Sequence, residues 1–354
     1  MAEPFPAGIA GYGVYIPRWR VSSRILAEHW GHTRGARKAP LVEKSVPGPD
    51  EDTVTMAIEA ARNALSAAGL APEKLGAVWV GTESKPYAVK PSSTIVAEAI
   101  GAGPLLSAAD FEFACKAGTE ALRAALGFVG ARMCEYALVI GMDTAQSRPG
   151  DELEYTAAAG GGAMIIGPRE EALATVDASL SFVTDTPDFY RRQHAHFPEH
   201  GRRFTGQPAY FHHSRNAAER LLSDMCAKSG DFTYAVFHQP TPAFPRQIAK
   251  QLGFTSEQIA PGVAVGDGIG NTYAGNVFLG LAATLDVAKP GDRILCVSYG
   301  SGAGSDAFAI TVTELIEARR DMARSVGRYL GRRADVPDYA TYLRLAGGLG
   351  EGAL

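Results

Sequence analysis

The chain has 354 residues, enough to bury a large core and, by length alone, to form about two domains. Its hydrophobic content of 46%, charged content of 20% and formal net charge of −4 are ordinary for a globular protein. This charge excludes a general basic field for nucleic acid or a membrane surface, and no apolar run reaches the roughly 18 residues that span a bilayer. The start lacks the pattern of a signal peptide, so we expect a cytoplasmic protein.

The cysteines and histidines form no metal-binding pattern. The four cysteines are far apart and include no C-x-x-C pair, which argues against disulfides and structural zinc and fits a reducing compartment: Cys115, Cys134, Cys226 and Cys296. Five histidines cluster without a spacing that would place ligands on one helix face: His194, His196, His200, His212 and His213. We therefore predict no metal site.

The first half of the chain alternates predicted strands and helices. Strands are predicted at 9–16, 76–80, 136–140 and 163–166, and helices at 55–70 and 93–101, with another ending at Trp30. A basic loop at 31–49 shows no clear periodicity of hydrophobic residues. A Gly-rich loop separates the last two of these strands.

The second half repeats this alternation after an aromatic, Arg- and His-rich excursion at 185–213, which we expect to cover a site. Helices are predicted at 214–228, at 245–252 and from Asn276 to about Val287, and strands at 234–237, 293–298 and 308–313. A charged tail from Glu314 is expected on the surface. In each half one strand leads through a Gly-rich loop to another, which predicts two similar α/β halves with a site between them.

Cys115 lies between a predicted strand and a predicted helix. An alternating stretch ends near Phe113, and an Ala- and Leu-rich run follows at 121–129. Backbone N–H groups at a helix start favour an anion, so we expect the pKa of the Cys115 thiol to be lowered. A small buried hydrophobe is the ordinary alternative. Carboxylate and histidine motifs after other strands favour a nucleophile.

Three polar residues follow other predicted strands or turns. Glu83 comes just after a buried strand, where desolvation would raise its pKa towards neutrality, although a capping or salt-bridged glutamate is the alternative. His238 directly follows the strand at 234–237, where a structural histidine is the alternative. Asn271 at a loop-to-helix turn offers its amide to a ligand or caps the helix.

Together these residues suit carbon–carbon bond formation on thioesters. A thiolate takes an acyl group, a base removes a proton beside the thioester carbonyl, and the carbanion attacks a second carbonyl polarised by a donor. Backbone N–H groups at Cys115 and in the turn at 300–302 are the candidate donors to the enolate oxygen.

Five motifs in order resemble one known family. They are G-T-E-S-K-P at 81–86, F-A-C-K-A-G-T at 113–119, F-H-Q-P at 237–240, G-N-T-Y-A-G-N at 270–276 and S-Y-G-S-G-A-G-S-D at 298–306. The likeness runs from G-Y-G-V-Y-I-P at 11–17 to D-Y-A-T-Y-L at 338–343. The chain thus resembles hydroxymethylglutaryl-CoA synthase in its short archaeal form, within the thiolase superfamily.

The resemblance implies a five-layered αβαβα fold built from two similar halves. It places an N-terminal half at 1–170, a connecting segment and active-site flap at 171–213, a C-terminal half at 214–318 and a tail at 319–354. It also implies a homodimer or dimer of dimers, and a complex with acetoacetyl-CoA thiolase and a small zinc-ribbon/OB-fold protein.

For the chemistry, the resemblance implies that acetyl-CoA acetylates Cys115, that Glu83 deprotonates the acetyl methyl, and that His238 positions the carbonyl of acetoacetyl-CoA. Water then releases hydroxymethylglutaryl-CoA, in the first committed step towards mevalonate and isoprenoids. No cofactor is implied, since the CoA thioesters are substrates. Further binding positions are implied at Thr156, Arg203, Thr205, Asn271 and the N–H of Ser301, with Arg203 pairing with a carboxylate.

The chain departs from the family at one point and leaves two alternatives open. Relatives often carry a lysine shortly after the histidine motif, where this chain has Ala243, so Arg246 or Lys250 would have to contact the CoA phosphates. One alternative is a ketoacyl synthase or a branching enzyme of polyketide assembly, although a decarboxylating synthase needs no base such as Glu83. The other is a non-catalytic scaffold for a thiolase, which would not need Glu83, Cys115 and His238 together.

Overall fold

A computed structural model describes residues 5–31, 39–144 and 147–347. The strands are β1 (Ala7–Tyr15), β2 (Trp19–Ser22), β3 (Glu43–Val46), β4 (Leu75–Gly81), β5 (Ser107–Phe111), β6 (Tyr136–Asp143), β7 (Gly160–Pro168), β8 (Ala174–Val183), β9 (Phe189–Tyr190), β10 (Glu199–His200), β11 (Tyr234–Phe237), β12 (Arg293–Val297), β13 (Gly304–Val312) and β14 (Ala334–Asp335). The helices are α1 (Ser23–His29), α2 (Thr53–Ala68), α3 (Ser92–Ile100), α4 (Ala117–Gly130), α5 (Phe211–Asp224), α6 (Ala243–Gln251), α7 (Ser256–Ile269), α8 (Asn276–Leu285), α9 (Leu315–Arg319), α10 (Val326–Gly331) and α11 (Tyr339–Leu345).

The main strands form one continuous sheet in the order β11-β12-β13-β8-β1-β7-β6-β4-β5. The two halves of the chain meet at a short antiparallel pairing in which Gly8 faces Thr175 and Ile9 faces Ala174. β6 pairs antiparallel with β7, and β12 pairs antiparallel with β13. The two strand pairs that echo each other in the sequence therefore occupy equivalent places in the two halves.

Three hydrophobic clusters divide the molecule into five layers. α4 and α8 share the central cluster with one face of each half of the sheet. α2 and α3 cover the outer face of the first half, and α5 and α6 cover that of the second. In α8 every residue except Ala283 is buried, as a helix packed on both sides requires. The predicted five-layered α/β fold is confirmed.

Several element predictions need correction. β8 and α7 were not predicted, although residues 174–182 alternate strictly between apolar and polar side chains. β6 continues to Asp143 instead of ending at residue 140, and β7 begins at Gly160, inside the predicted Gly-rich loop. The helix placed at 214–228 is α5, which begins at Phe211. Residues 32–38 of the predicted basic loop lie outside the described residues.

The tail is more than a surface segment, contrary to the sequence prediction. β14 pairs with β2 in a small three-stranded sheet that also contains β3. Tyr339 and Tyr342 of α11 are buried in a separate hydrophobic cluster beside this sheet. The Tyr339 hydroxyl donates to the Glu154 carboxylate at 2.8 Å, so the tail packs against the 3₁₀ turn Glu152–Tyr155.

Candidate active site

A cavity of about 750 Å³ lies between the two halves. Seven of the residues predicted from the sequence to form a site line it: Cys115, Thr156, Arg203, Thr205, His238, Asn271 and Ser301. An eighth, Glu83, touches the cavity residue Cys115, with 3.3 Å between the cysteine Sγ and the Glu83 Oε1. The structure thus brings together residues that are up to 218 positions apart in the sequence, from Glu83 to Ser301.

Cys115 lies where a strand turns into a helix, as predicted. It belongs to a 3₁₀ turn, Ala114–Lys116, between β5 and α4, and its side chain is buried. Ala114 has a φ of 42°, a left-handed conformation that turns the chain sharply. Gly81 at the end of β4 allows this helix start to approach, because a Cβ there would lie 2.3 Å from the carbonyl carbon of Ala117.

The prediction of a lowered cysteine pKa is wrong for this pocket. Burial raises the pKa of the Cys115 thiol well above its ordinary value, and the carboxylates of Glu83 and Asp143 add to the effect. A local argument from the helix start misses these carboxylates, because both come from other strands. Cys115 is therefore a thiol in the resting site, and its S–H donates to Glu83.

Glu83 has the raised pKa that its position predicts. Burial and the nearby Asp143 raise the pKa of Glu83 to about 8, against smaller opposite effects of Cys115 and Arg191. At neutral pH the side chain therefore exchanges a proton readily, as a general base or acid requires. Glu83 also lines a second cavity of about 340 Å³.

Asp143 is a central site residue that the sequence reading missed. Its Oδ1 accepts from the Thr82 hydroxyl at 2.6 Å, the Glu83 N–H at 2.9 Å and the Ser84 hydroxyl at 2.6 Å. Its Oδ2 accepts from the Ala274 N–H at 2.8 Å. Burial raises the pKa of Asp143 to about 6 in spite of these donors. Asp143 thus fixes the backbone of the Glu83 turn and adds a negative charge beside it.

His238 lies directly after β11 and lines the cavity. Its backbone N–H donates to the Val297 carbonyl at 3.0 Å, and its backbone carbonyl accepts from the Tyr210 hydroxyl at 2.7 Å. Burial lowers the pKa of His238 to about 3, against a smaller opposite effect of the Asn276 side chain. The imidazole is therefore neutral and offers one N–H donor and one nitrogen acceptor.

The predicted binding residues come from four separate segments, the fourth being the turn that carries Ser301. Thr156 and Asn271 adjoin, because the Asn271 N–H donates to the Thr156 carbonyl at 2.8 Å. The Asn271 side chain also caps its own turn, where Oδ1 accepts from the Tyr273 N–H at 2.9 Å. Thr205 donates through its hydroxyl to the Asp188 carbonyl at 3.0 Å, and Arg203 is exposed at the cavity wall.

Asp188 organises the Gly-rich turn that carries Ser301, and the sequence reading missed it as well. It is fully buried, and its Oδ1 accepts from the Gly302 N–H at 2.9 Å. Its Oδ2 accepts from the Tyr299 hydroxyl at 2.5 Å. Tyr299 itself lines the cavity. Asp188 lies near the start of the predicted excursion at 185–213, so these contacts tie the start of this segment to the second half of the site.

The two residues predicted to contact CoA phosphates lie outside the cavity lining. Arg246 on α6 forms an ion pair with Asp267 and donates to the Pro242 carbonyl at 2.6 Å. Lys250 is exposed near the end of the same helix. Arg202, which was not predicted, lines the cavity beside Arg203.

The histidine-rich segment makes ordinary polar contacts. His200 lies 3.3 Å from the Asp151 carboxylate, and both ring nitrogens of His213 have partners in Thr184 and the Ala209 carbonyl. Among residues 5–31, 39–144 and 147–347, no group of three or more metal-ligating side chains is placed to hold an ion. Nor does any helix in these ranges combine the length and apolarity needed to cross a bilayer.

Comparison with known proteins first defines the class. Residues 222–312 match the family model of the C-terminal domain of 3-oxoacyl-[acyl-carrier-protein] synthase III. A solved MvaS in complex with 3-hydroxy-3-methylglutaryl coenzyme A superposes with a TM-score of 0.86 at 23% identity, covering 98% of this chain and 92% of that one. The synthase III, FabH, of Pseudomonas aeruginosa gives 0.78 at 19% identity, covering 87% and 98%. The fold is that of the thiolase superfamily of condensing enzymes.

Sequence relatives then define the family. Hydroxymethylglutaryl-CoA synthase of Pyrococcus furiosus is 58% identical over 338 residues, covering 95% of each chain. That of Methanothermobacter thermautotrophicus is 55% identical over 345 residues, covering 97% of this chain and 99% of the relative. The chain belongs to the hydroxymethylglutaryl-CoA synthase family, in its archaeal form.

Proposed function

We propose that this protein condenses acetyl-CoA with acetoacetyl-CoA and water to give 3-hydroxy-3-methylglutaryl-CoA and CoA. The observation that carries the proposal is the direct contact between the buried Cys115 thiol and the Glu83 carboxyl at the wall of a cavity that also contains His238. Family membership supports the same reaction. The product places the enzyme at the first committed step towards mevalonate and isoprenoids.

Acetyl transfer to Cys115 begins the reaction. The thiol must lose its proton as sulfur attacks the acetyl carbonyl, since the thiolate is the nucleophile. Two acceptors are at hand, the Glu83 carboxylate at 3.3 Å and the neutral His238 imidazole in the same cavity. Loss of Glu83 alone should therefore slow acetylation without abolishing it.

Condensation then uses Glu83 as the base for the acetyl methyl. A carboxylate whose pKa is about 8 is a stronger base than an ordinary glutamate, and the thioester carbonyl needs donors to hold the enolate oxygen. The N–H groups of Cys115 and Ser301 are our candidates. The neutral His238 donates a hydrogen bond to the acceptor carbonyl. The alkoxide that forms receives the proton that Glu83 took from the methyl group, so Glu83 ends the step as a carboxylate again.

The remaining cavity residues hold the acceptor and the growing product. Asn271 and Thr156 line one wall, and Thr205 and Arg203 line another. We propose that the Arg203 guanidinium pairs with the carboxylate that hydrolysis creates. For the CoA phosphates, Arg202 joins Arg246 and Lys250 as a candidate, because it is the one that lines the cavity.

The proposal is tested by following product formation from labelled acetyl-CoA and acetoacetyl-CoA by chromatography and mass spectrometry. The wild-type chain should form labelled hydroxymethylglutaryl-CoA, and Cys115→Ala should form none. Cys226→Ala is the matched control, because that cysteine is exposed and lies just after the end of α5. Product from Cys115→Ala, or none from wild type, would refute the assignment.

We also propose that two copies pair through β5. This strand ends the nine-stranded sheet, and its five residues are only partly buried. Large apolar side chains stand exposed nearby, with Leu105 at 94% and Val89 at 95% exposure. An unpaired sheet edge beside exposed apolar side chains can pair with the same edge of a second copy. Light scattering of wild type and Leu105→Lys tests this, and a monomeric wild type would refute it.

Association with acetoacetyl-CoA thiolase and a small zinc-ribbon/OB-fold protein remains a proposal from the family resemblance. So does the division of the chain at 170, 213 and 318. A pull-down of the two proteins with the purified chain tests the first. Limited proteolysis that cuts at these boundaries, rather than within the halves, tests the second.

A further inference from the structure

Hydrolysis poses a problem of access that follows from the proposed function. The last intermediate is a thioester in which Cys115 Sγ bonds the carbonyl carbon derived from acetyl, while the other end of the molecule is still joined to CoA. Water attacks this carbon, the C–S bond breaks, sulfur takes one proton, and a carboxylate and one further proton are released. One water must therefore arrive, and one proton must leave, while CoA still occupies the main cavity.

The second cavity reaches the reaction centre from another direction. It has a volume of about 340 Å³ and is lined at its inner end by Glu83. Phe189 lines both cavities, so the two spaces adjoin at this residue. The 3.3 Å contact between Glu83 Oε1 and Cys115 Sγ joins the inner ends of the two spaces. A water beside Glu83 in the second cavity would thus lie next to the cysteine thioester.

The outer end of the second cavity is open and charged. Tyr190 is 43% exposed, Arg191 is exposed, and the Glu112 side chain is 68% exposed. Glu112 forms an ion pair with Lys85, and these residues line the cavity together with Arg191. Charged groups of this kind bind water well, whereas the main cavity is lined mostly by apolar and aromatic surface.

We propose that the second cavity is the route by which the hydrolytic water reaches Cys115 and the product proton leaves through Glu83. Glu83 takes the proton of the attacking water and passes it outward past Arg191, without displacement of CoA from the main cavity. Nothing in the condensation itself needs this route, since that step neither consumes water nor releases a net proton.

The charges around Glu83 fit this use. Asp143 and the Cys115 thiol face it from the inside, and the buried Tyr273 phenol lies close enough for Glu83 to raise its pKa. Arg191 faces it from the cavity and opposes the rise in the pKa of Glu83. Arg191 therefore favours the ionised form of Glu83 and so the release of its proton, and the Glu112 carboxylate, paired with Lys85, offers an acceptor on the way out.

The test blocks the outer end with Arg191→Trp. The control is Arg192→Trp, which adds the same ring at an exposed position that lines neither cavity. Quenched single turnovers, read by intact-protein mass, give separate rates for acetylation, condensation and hydrolysis. Arg191→Trp should slow hydrolysis at least about tenfold and leave acetylation within about twofold, so that the covalent condensation product accumulates. Lys85→Trp, as a second way to fill the cavity, should do the same.

The other outcomes distinguish a failure of the water route from a failure of the proposed function. Hydrolysis in Arg191→Trp and Lys85→Trp at the rate of Arg192→Trp would overturn the route and leave the proposed function intact. An equal loss of all three rates would also overturn it, because a blocked water route does not slow acetylation. If the wild-type chain takes up no acetyl group, the proposed function itself fails, independently of the route.

Discussion

Replacing Glu83 by glutamine should stabilise the fold, and increasingly so as the pH rises. In the folded protein the pKa of Glu83 is raised to about 8, chiefly by burial and then by Asp143, from an ordinary value of 4.5. Between these values the unfolded chain ionises while the folded chain keeps its proton. The wild type therefore loses stability as the pH rises from about 4.5 to about 8, and the whole penalty is present above that.

The size of the effect follows from this pKa. At about 1.4 kcal/mol for each unit, the rise corresponds to at most about 5 kcal/mol. We expect about 2–4 kcal/mol, because Glu83 faces solvent in the second cavity and part of its charge is screened. Glutamine keeps the shape and removes the ionisation, so the variant should show no such loss.

Urea unfolding at about pH 5, 6.5 and 8.5 measures the difference in the free energy of unfolding. Glu83→Gln should equal the wild type near pH 5 and exceed it by a few kcal/mol at pH 8.5. Glu219→Gln, at an exposed position of α5, controls for the loss of a carboxylate as such. A difference between Glu83→Gln and wild type that stays constant over this range would refute the reasoning, and so would a lower stability of the variant at high pH.

Three further changes test neighbouring parts of the site. Asp143→Asn removes a charge that raises the pKa of Glu83, so the pH at which condensation reaches half its maximal rate should fall. Single turnovers at several pH values measure this midpoint, and an unchanged midpoint would contradict the prediction. His238→Ala should keep acetylation and lower the rate of condensation with acetoacetyl-CoA by about 100-fold, and retained condensation would remove its role. Lys116→Met leaves the buried Asp306 without its cation and should lower the free energy of unfolding, measured in urea, by about 3–5 kcal/mol. An unchanged free energy of unfolding would contradict this.

Residues that follow strands directly were predictable from the sequence. Glu83 and Cys115 follow the parallel strands β4 and β5, and His238 follows β11, which runs parallel to β12. The carboxyl ends of parallel strands meet at one edge of a sheet, which is a common place for ligand sites in α/β folds. Runs of apolar residues therefore predicted the strands, and the polar residue that follows each run predicted a member of the active site.

Residues whose role depends on distant partners were not predictable in this way. Asp143 reads as a loop residue after an apolar run, and its burial depends on donors such as Ala274, which lies 131 positions away. Gly141 permits that approach, since a Cβ there would lie 2.4 Å from the Ala274 carbonyl oxygen. The raised pKa of Cys115 has a similar origin, because it results first from burial and then from two carboxylates, Glu83 after β4 and Asp143 at the end of β6. Only β8 carried a clear alternating signal that the sequence reading overlooked.

The central claim is a division of labour, in which Cys115 carries the acetyl group and Glu83 removes the methyl proton. It is tested most directly by the intact mass of Glu83→Ala after treatment with acetyl-CoA and then with acetoacetyl-CoA. We predict that the variant gains a single acetyl group, located on Cys115 by peptide mapping, and stays at that mass after the second substrate. Formation of the condensation adduct, or an acetyl group on any other residue, would contradict the account.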